Sequence, residues 1–357
     1  MSETSLRPLL TDKSPEGWDF PDVPAYRAEQ IRQWVYDKGV LDFDAMSNLP
    51  ADLRTRLTKD WEIRPMEQAR VQGSADVTRK FLWRLRDGQF IESVLIPATL
   101  GMDGSRASRL TLCVSTQVGC ALGCKFCASG LDGLKRNLST GEILGQILLA
   151  RNEANRRVDN LVFMGMGEPL ANLPALLPAL DVILSPKGLG IGARHVTLST
   201  SGLVPRILEL ADYPAQIRLA ISLHGGDDAT REKIMPINKR YPMVELLDAC
   251  ETFVRTRRKM ITLEYILIDG VNDDPVQATM LAAHARRLRA KVNLIPYNKV
   301  DGLEWKRPPD NQIRTFLQTV ERGHPPAVTL RTEKGHDIDA ACGQLRLREE
   351  KVEGCNP

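Results

Sequence analysis

Short apolar runs alternate with longer stretches of helical spacing through the second two thirds of the chain. The runs are Leu110–Ser115, Asn160–Met164, His195–Ser199, Ile217–Ser222, Ile261–Ile268, Val292–Ile295 and Val328–Arg331. Strands that alternate with helices predict βαβ units and a mostly parallel sheet. A closed eight-stranded barrel takes about 250 residues, and these runs are too few for one. We therefore expect an α/β fold built as an open, partial βα barrel.

The N-terminal part of the chain has a different pattern. Within residues 24–38 apolar side chains recur at helical spacing, and Gly39 follows as a C-cap would. A second helix is predicted after Pro50. This part should form a small helical accessory domain.

A β-hairpin is predicted between the helices and the barrel. Residues 80–86 and 89–96 alternate around Asp87-Gly88, a dipeptide that favours a tight turn. Residues 97–108 are rich in Gly, Ser and Thr and should form a flexible loop. The predicted division is 1–72 for the helical domain, 73–108 for the hairpin linker and loop, 109–332 for the barrel and 333–357 for a C-terminal segment.

Composition limits the class of protein without identifying it. With 357 residues, 43% of them hydrophobic, the chain can bury a large core, and its net charge of +3 is too small to indicate a nucleic-acid partner by itself. No apolar run has the length of a signal peptide or of a membrane span. Seven cysteines without an export signal fit thiolate chemistry in a reducing compartment. We expect a cytoplasmic protein with no membrane partner.

The most informative motif is a loop with three cysteines, Cys120, Cys124 and Cys127. Three thiolates suit an iron–sulfur cluster that leaves one iron open, because structural zinc takes four protein ligands and ferredoxin-type clusters take four cysteines. No histidine or further cysteine lies at a zinc-like offset. The alternatives are buried core cysteines, which the glycines at 119 and 123 argue against, and half of a zinc site completed from afar.

This loop resembles the Cys-x3-Cys-x2-Cys motif of the radical S-adenosylmethionine (SAM) superfamily. The resemblance implies a [4Fe–4S] cluster held by the three cysteines, whose open iron binds the amino and carboxylate groups of SAM. One βα unit later, Gly165-Met166-Gly167-Glu168-Pro169 follows a strand. Alone it is an ordinary turn, but here it resembles the superfamily motif that receives the amino group of SAM. The same resemblance implies a partial barrel.

The C-terminal run from Gly335 to Leu345, which contains Cys342, resembles the RlmN/Cfr family of RNA methyltransferases, as do the segments around Cys113 and Glu92. The resemblance extends from about residue 26 to 345. It implies that Cys342 is S-methylated, that Cys113 is the resolving cysteine and that Glu92 is a proton acceptor. It also implies a set of SAM contacts: Gly167, Glu168, Ser199, Ser222, Leu223, His224 and Asn298. If the family resemblance is left aside, the local sequence predicts that these serines and Asn298 are helix caps and that His224 is a structural histidine.

The family implies methylation of carbon 2 of adenosine in 23S rRNA, at the peptidyl transferase centre, and in tRNA next to the anticodon. It further implies an S-methylcysteine intermediate, a covalent protein–RNA adduct and a reductant of the flavodoxin or ferredoxin type.

Two other functions stay open at this point. A Cfr-like enzyme would methylate carbon 8 of the same rRNA adenosine, although Gly133–Glu142 and Arg27–Leu57 are more similar to the RlmN branch. A non-catalytic RNA-binding protein with a structural zinc is the alternative from a different class. His336 stands where an acidic residue is common in the family, and residues 97–108 look like an insertion.

Overall fold

The structure is a computed structural model that describes residues 6–18, 20–74, 77–98, 109–300, 302–331, 338, 339 and 344. Its α-helices are α1 (Ala25–Arg32), α2 (Ala51–Asp60), α3 (Thr140–Ala154), α4 (Leu173–Leu184), α5 (Val204–Ala211), α6 (Asp228–Ile234), α7 (Met243–Arg257), α8 (Pro275–Leu288) and α9 (Asp310–Arg322). Its strands are β1 (Met66–Gly73), β2 (Arg79–Leu85), β3 (Phe90–Pro97), β4 (Leu110–Cys113), β5 (Gln117–Gly119), β6 (Leu134–Asn137), β7 (Asn160–Phe163), β8 (Val196–Thr200), β9 (Arg218–Ser222), β10 (Thr262–Leu267), β11 (Lys291–Pro296) and β12 (Val328–Leu330).

One large sheet organises the molecule. Its ten strands lie in the order β1-β2-β3-β4-β7-β8-β9-β10-β11-β12. From β4 to β12 all neighbours are parallel. Within the described residues the order ends at β1 and β12, so the sheet does not close. The predicted α/β fold with an open, partial barrel is confirmed.

The predicted hairpin is confirmed, and it extends the barrel sheet. Strands β2 and β3 are antiparallel, and Leu82 lies opposite Glu92. Strand β3 in turn pairs with β4, where Val94 lies opposite Cys113. Glu92 and Cys113 are thereby placed on neighbouring strands. Most of the predicted loop, residues 99–108, lies outside the described residues.

Two predicted helices, α1 and α2, form in the N-terminal part. The first continues as a π-helical turn from Gln33 to Asp37. Arg32 Nη1 donates to the carbonyl of Lys187 at 2.6 Å, and Arg151 Nη1 donates to the carbonyl of Tyr36 at 2.6 Å. These bonds attach the helices to the barrel. The domain boundaries proposed above stay predictions.

The core explains why the parallel strands read as apolar runs. Leu112, Leu161, Leu198 and Leu219, on four successive strands of the sheet, are at most 1% exposed, as expected where helices cover a parallel sheet. Among the described residues, no helix is both long and apolar enough to cross a membrane.

Candidate active site

The predicted site residues gather where the parallel strands end. Cys113 ends β4, the Gly165–Glu168 turn follows β7, Ser222 ends β9 and Asn298 follows β11. In open α/β sheets ligands bind at this edge. A cleft of about 880 Å³, partly open to solvent, lies there. Of the predicted residues its walls include Cys120, Cys124, Cys127, Gly167, Glu168, Ser199, Ser222 and His224.

Four other predicted residues, Leu223, Asn298, Glu92 and Cys113, are not among those that line the cleft. Leu223 is fully buried, and Asn298 is 4% exposed. Glu92 and Cys113 are buried in the adjoining strands β3 and β4. Cys342 lies outside the described residues, so the structure does not place it.

The cysteine loop is held at its base by a small antiparallel pair, β5 and β6. Gly119 has φ +74°, and a Cβ there would lie 1.9 Å from the carbonyl oxygen of Gly133. The amide of Cys120 donates to that carbonyl at 3.0 Å. At the other end, the amide of Lys125 donates to the carbonyl of Ile234 at 2.9 Å. The loop is therefore fixed by backbone contacts to two other segments.

Burial makes the thiols of this loop poor acids. It raises the pKa of Cys120 to about 12 and raises the pKa of Cys124 further, and neighbouring thiolates add to both shifts. Coordinated metal overrides such a shift, because a metal-bound thiol is deprotonated. No three His, Cys, Asp or Glu side chains among the described residues converge on a single-ion site. A four-iron cluster needs no such convergence, since each cysteine binds a different iron.

Glu168 is the buried carboxylate opposite the cysteine loop. Oε2 accepts from the Ser201 amide at 2.8 Å and Oε1 from the Leu170 amide at 3.1 Å. Burial raises the pKa of Glu168 above its ordinary value, and these hydrogen bonds only reduce the size of that increase. The preceding Gly167 has φ +97°, and a Cβ there would lie 2.5 Å from the Cβ of Gln117. Only glycine allows this approach.

His224 is a neutral histidine in the wall of the cleft. Its Nδ1 accepts from the Ile266 amide at 3.0 Å, which leaves the proton on Nε2. Burial, followed by the nearby Arg231 guanidinium, lowers the pKa of His224 to about 3. Phe126 of the cysteine loop packs edge-on against the ring at 4.7 Å. This histidine therefore offers an N–H donor or an apolar wall, and it is not a base near neutral pH.

Two buried charged residues beside the cleft were not predicted. Glu264 is on β10, lines the cleft and lies opposite Ser222 of β9. Its Oε2 accepts a hydrogen bond from Asn293 Nδ2 at 2.6 Å. Arg231 is fully buried and donates to the carbonyls of Ser201 and Leu223. Glu264 lies within an apolar run and Arg231 within a polar helix, and neither belongs to a recognisable sequence motif. Only an apolar run interrupted by a charge could have pointed to Glu264.

The donor set fits SAM and an iron–sulfur cluster. Three cysteines face one wall, and Glu168 offers a carboxylate to an ammonium group. Asn298 Oδ1 is buried without a hydrogen-bond partner in the described residues. A buried amide oxygen is normally satisfied, so a ligand donor is expected there.

The fold and the site define a radical SAM enzyme. The family model of the radical SAM superfamily matches residues 114–283. The model of the ribosomal RNA large subunit methyltransferase N-terminal domain matches residues 22–63. Membership of the superfamily implies SAM and an iron–sulfur cluster as cofactors.

Relatives along the whole chain define the family more closely. The probable dual-specificity RNA methyltransferase RlmN of Akkermansia muciniphila is 56% identical, and the match covers 91% of this chain and 90% of that protein. The probable dual-specificity RNA methyltransferase RlmN 3 of Opitutus terrae is 54% identical, with 92% and 90% covered. The crystal structure of a radical SAM methyltransferase from Sphaerobacter thermophilus has a TM-score of 0.89 at 42% identity, with 95% and 99% covered. The chain belongs to the RlmN family. Because this is a family of enzymes, the alternative of a non-catalytic zinc protein is set aside.

Proposed function

We propose that this protein methylates carbon 2 of adenosine in 23S rRNA and in tRNA. The observation that carries the proposal is the cleft itself, where three cysteines and Glu168 meet beside the strands that carry Glu92 and Cys113. Relatives named dual-specificity RNA methyltransferase support RNA as the substrate. The rRNA position is the peptidyl transferase centre, and the tRNA position is next to the anticodon.

Carbon 2 of adenine needs an unusual route because it lies between two ring nitrogens and is electron-poor. It cannot attack the methyl group of SAM as a nucleophile. When bound, the [4Fe–4S] cluster and SAM supply a methyl group and a 5′-deoxyadenosyl radical. A flavodoxin or ferredoxin is the proposed electron donor.

The residues that hold these groups follow from the site. Cys120, Cys124 and Cys127 would each bind one iron, and Glu168 would receive the ammonium group of SAM. Ser199, Ser222 and Asn298 would hydrogen-bond its other polar groups, with His224 in the cleft wall and the buried Leu223 next to it in sequence.

Three further residues carry the methyl group and the protons. The thiolate of Cys342 would accept a methyl group from SAM, with S-adenosylhomocysteine as the leaving group. The methylated Cys342 would then give one hydrogen atom to the 5′-deoxyadenosyl radical, and its methylene carbon would bond to carbon 2. The ring then regains aromaticity by losing one electron, to an acceptor of the oxidised iron–sulfur class, and one proton, to Glu92. Cys113 attacks the sulfur of Cys342, a disulfide forms, and the pair from the broken C–S bond takes up a proton to give the methyl group. A cellular thiol reduces the disulfide.

Mass spectrometry of nucleosides tests the proposal directly. Large-subunit rRNA and tRNA are incubated anaerobically with reconstituted protein, SAM and a reductant. We expect 2-methyladenosine in both RNAs. If 8-methyladenosine forms instead, the protein acts as a Cfr-like enzyme.

Two cysteine variants test the covalent route. Cys113→Ala should still methylate Cys342 but remain covalently attached to RNA, because nothing breaks the C–S bond. Cys342→Ala should do neither. The control is Cys250→Ala, a fully buried cysteine on α7 that should leave the product yield unchanged. Denaturing gels and peptide mass spectrometry provide the readout, and free methylated RNA at normal yield from either of the first two variants would contradict the route.

A further inference from the structure

A buried lysine lies against the carboxylate that we propose as the base. Lys80 Nζ is 3.2 Å from Oε1 of Glu92, and the two side chains are 8% and 5% exposed. An ion leaves water at a high cost unless it is paired, so these two charges depend on each other. An ammonium at this distance favours the ionised form of the carboxylate.

The pairing register places Lys80, Glu92 and Cys113 on one face of the sheet. Lys80 lies opposite Val94 on β3, and Val94 lies opposite Cys113 on β4. Directly opposite residues share a face, and so do residues two apart on one strand, which brings Glu92 to the same side. The lysine, the proposed base and the proposed resolving cysteine therefore belong to three adjacent strands and face the same way.

Backbone contacts tie Glu92 to the SAM motif as well. Ser115 Oγ donates to the carbonyl of Glu92 at 2.5 Å and accepts from the amide of Met166 at 2.8 Å. Met166 belongs to the Gly165–Glu168 turn. Glu92 is thus held by its main chain from one side and by Lys80 at its carboxylate.

The same lysine reaches the C-terminal segment. Nζ donates to the carbonyl oxygen of Asp339 at 3.5 Å, three positions before Cys342 in the sequence. This hydrogen bond is long, so it contributes less than the contact with Glu92.

We propose that Lys80 is a positioning residue that keeps Glu92 ionised and oriented to take the proton from carbon 2 of the RNA adduct. This inference rests on the proposed function. In the step concerned, the C–H bond at carbon 2 breaks, its electron pair stays in the ring, and a new O–H bond forms on Glu92. The one-electron oxidation that accompanies it uses the acceptor of the iron–sulfur class named above. When Cys113 later breaks the C–S bond, the restored aromatic ring stabilises the electron pair that is left on the methylene carbon until that carbon takes up a proton.

The test separates the two halves of the reaction. In Lys80→Met, which removes the charge and keeps the length, methylation of Cys342 should proceed at the wild-type rate. The covalent protein–RNA adduct should then accumulate, and release of 2-methyladenosine should slow by about tenfold or more, up to the roughly 10²–10⁴-fold that a general base usually contributes. Lys80→Arg, which restores a cation, should recover most of the release rate. Glu92→Gln should trap the same adduct.

Folding is controlled by a double variant. Lys80→Met leaves a buried carboxylate without its partner, so the single variant can lose stability. Lys80→Met with Glu92→Gln removes both charges, and it should fold and trap the adduct.

The outcomes are distinguishable. If the wild-type protein makes no 2-methyladenosine, the proposed function fails. If the wild type makes it and Lys80→Met releases it normally, our inference about Lys80 is wrong. If Lys80→Met and the double variant fold but fail equally at methylation of Cys342, the lysine has a purely structural role and the inference is also overturned.

Discussion

Burial controls the chemistry of single side chains in the cleft. Glu168 and His224 are both almost fully buried, and the loss of water shifts the pKa of each toward its neutral form. The backbone compensates differently at the two sites. Two amides stabilise the Glu168 carboxylate, whereas the one amide at His224 donates to Nδ1 and so favours the neutral ring. A carboxylate that can hold an ammonium group thus lies near an uncharged ring.

The lowered pKa of His224 predicts a pH-dependent stability. The ordinary pKa of 6.5 applies to the unfolded chain, and the folded value is about 3. Above pH 6.5 the His224 ring is neutral in both the folded and the unfolded chain. Below pH 6.5 the ring binds a proton in the unfolded chain but stays neutral in the folded protein. The free energy of unfolding should therefore fall as the pH drops from 6.5 toward 3, by at most about 1.4 kcal/mol per pH unit.

The variant for this test is His224→Asn. Asparagine tolerates the φ of +56° at this position and keeps an acceptor for the Ile266 amide. Urea unfolding between pH 7 and 5, at matched cluster content, should show a shallower loss of stability than in the wild type. His195→Asn, at a half-buried site, is the control for the loss of a histidine. Equal slopes in wild type and His224→Asn would show that the buried ring does not titrate as expected.

At the level of elements, the cysteine loop depends on the small β5–β6 pair. The loop is irregular and has no helix of its own to stabilise it, so it relies on its anchors. The most demanding anchor is the approach of Gly119 to the Gly133 carbonyl. Spacing alone would not have distinguished this glycine from its neighbours.

Gly119→Ala should therefore disrupt the loop. The added Cβ would overlap the Gly133 carbonyl, and alanine would be strained at φ +74°. We expect a large loss of bound iron and sulfide after anaerobic reconstitution, measured together with the absorbance near 400 nm. Gly133→Ala is a matched control, since it has φ +70° and no atom within 4 Å of the new Cβ. It should cost only about 1–2 kcal/mol and keep most of the cluster. Equal cluster content in the two variants would argue against the steric explanation.

For the whole molecule, the N-terminal helices are attached to the barrel by a shared apolar core and by a few directed bonds. Arg32 is 8% exposed, pairs with both oxygens of Glu29 and donates to Lys187, which lies 155 positions away. Hydrogen bonds from charged donors are worth about 1.5–3 kcal/mol each. Arg32 therefore adds a directed bond to a contact that Ile31 and Val35 also make through the shared apolar core.

Arg32→Met should loosen this contact. We expect hydrogen exchange across α1 and α2 to quicken while the exchange of the barrel strands stays unchanged, because only the N-terminal part loses its anchor. Arg27→Met is the control, since its bonds to Gln30 and Asn48 stay within the N-terminal part. Unchanged exchange in Arg32→Met would show that apolar packing alone holds the helices.

The parts of the fold that were predictable are those with strong local signals. The seven parallel strands and the hairpin appeared as apolar runs and as an alternating pattern around Asp87-Gly88. Strand β1 was missed because only Met66 is buried in it, so it lacks an apolar face. The β5–β6 pair was missed because two very short strands have too few residues for a period to emerge.

The amino-acid sequence by itself determined the family, the open α/β architecture and the positions of the cysteine loop and of the Gly165–Glu168 turn. The family follows from the resemblance of these motifs, and the architecture follows from the spacing and periodicity of apolar residues along the chain. Only the tertiary structure decided which charges meet. The pairing of Lys80 with Glu92, the burial of Glu264 and Arg231 and the neutral state of His224 arise from strand register and from exclusion of water. Both depend on residues far apart in sequence, and no local pattern records them.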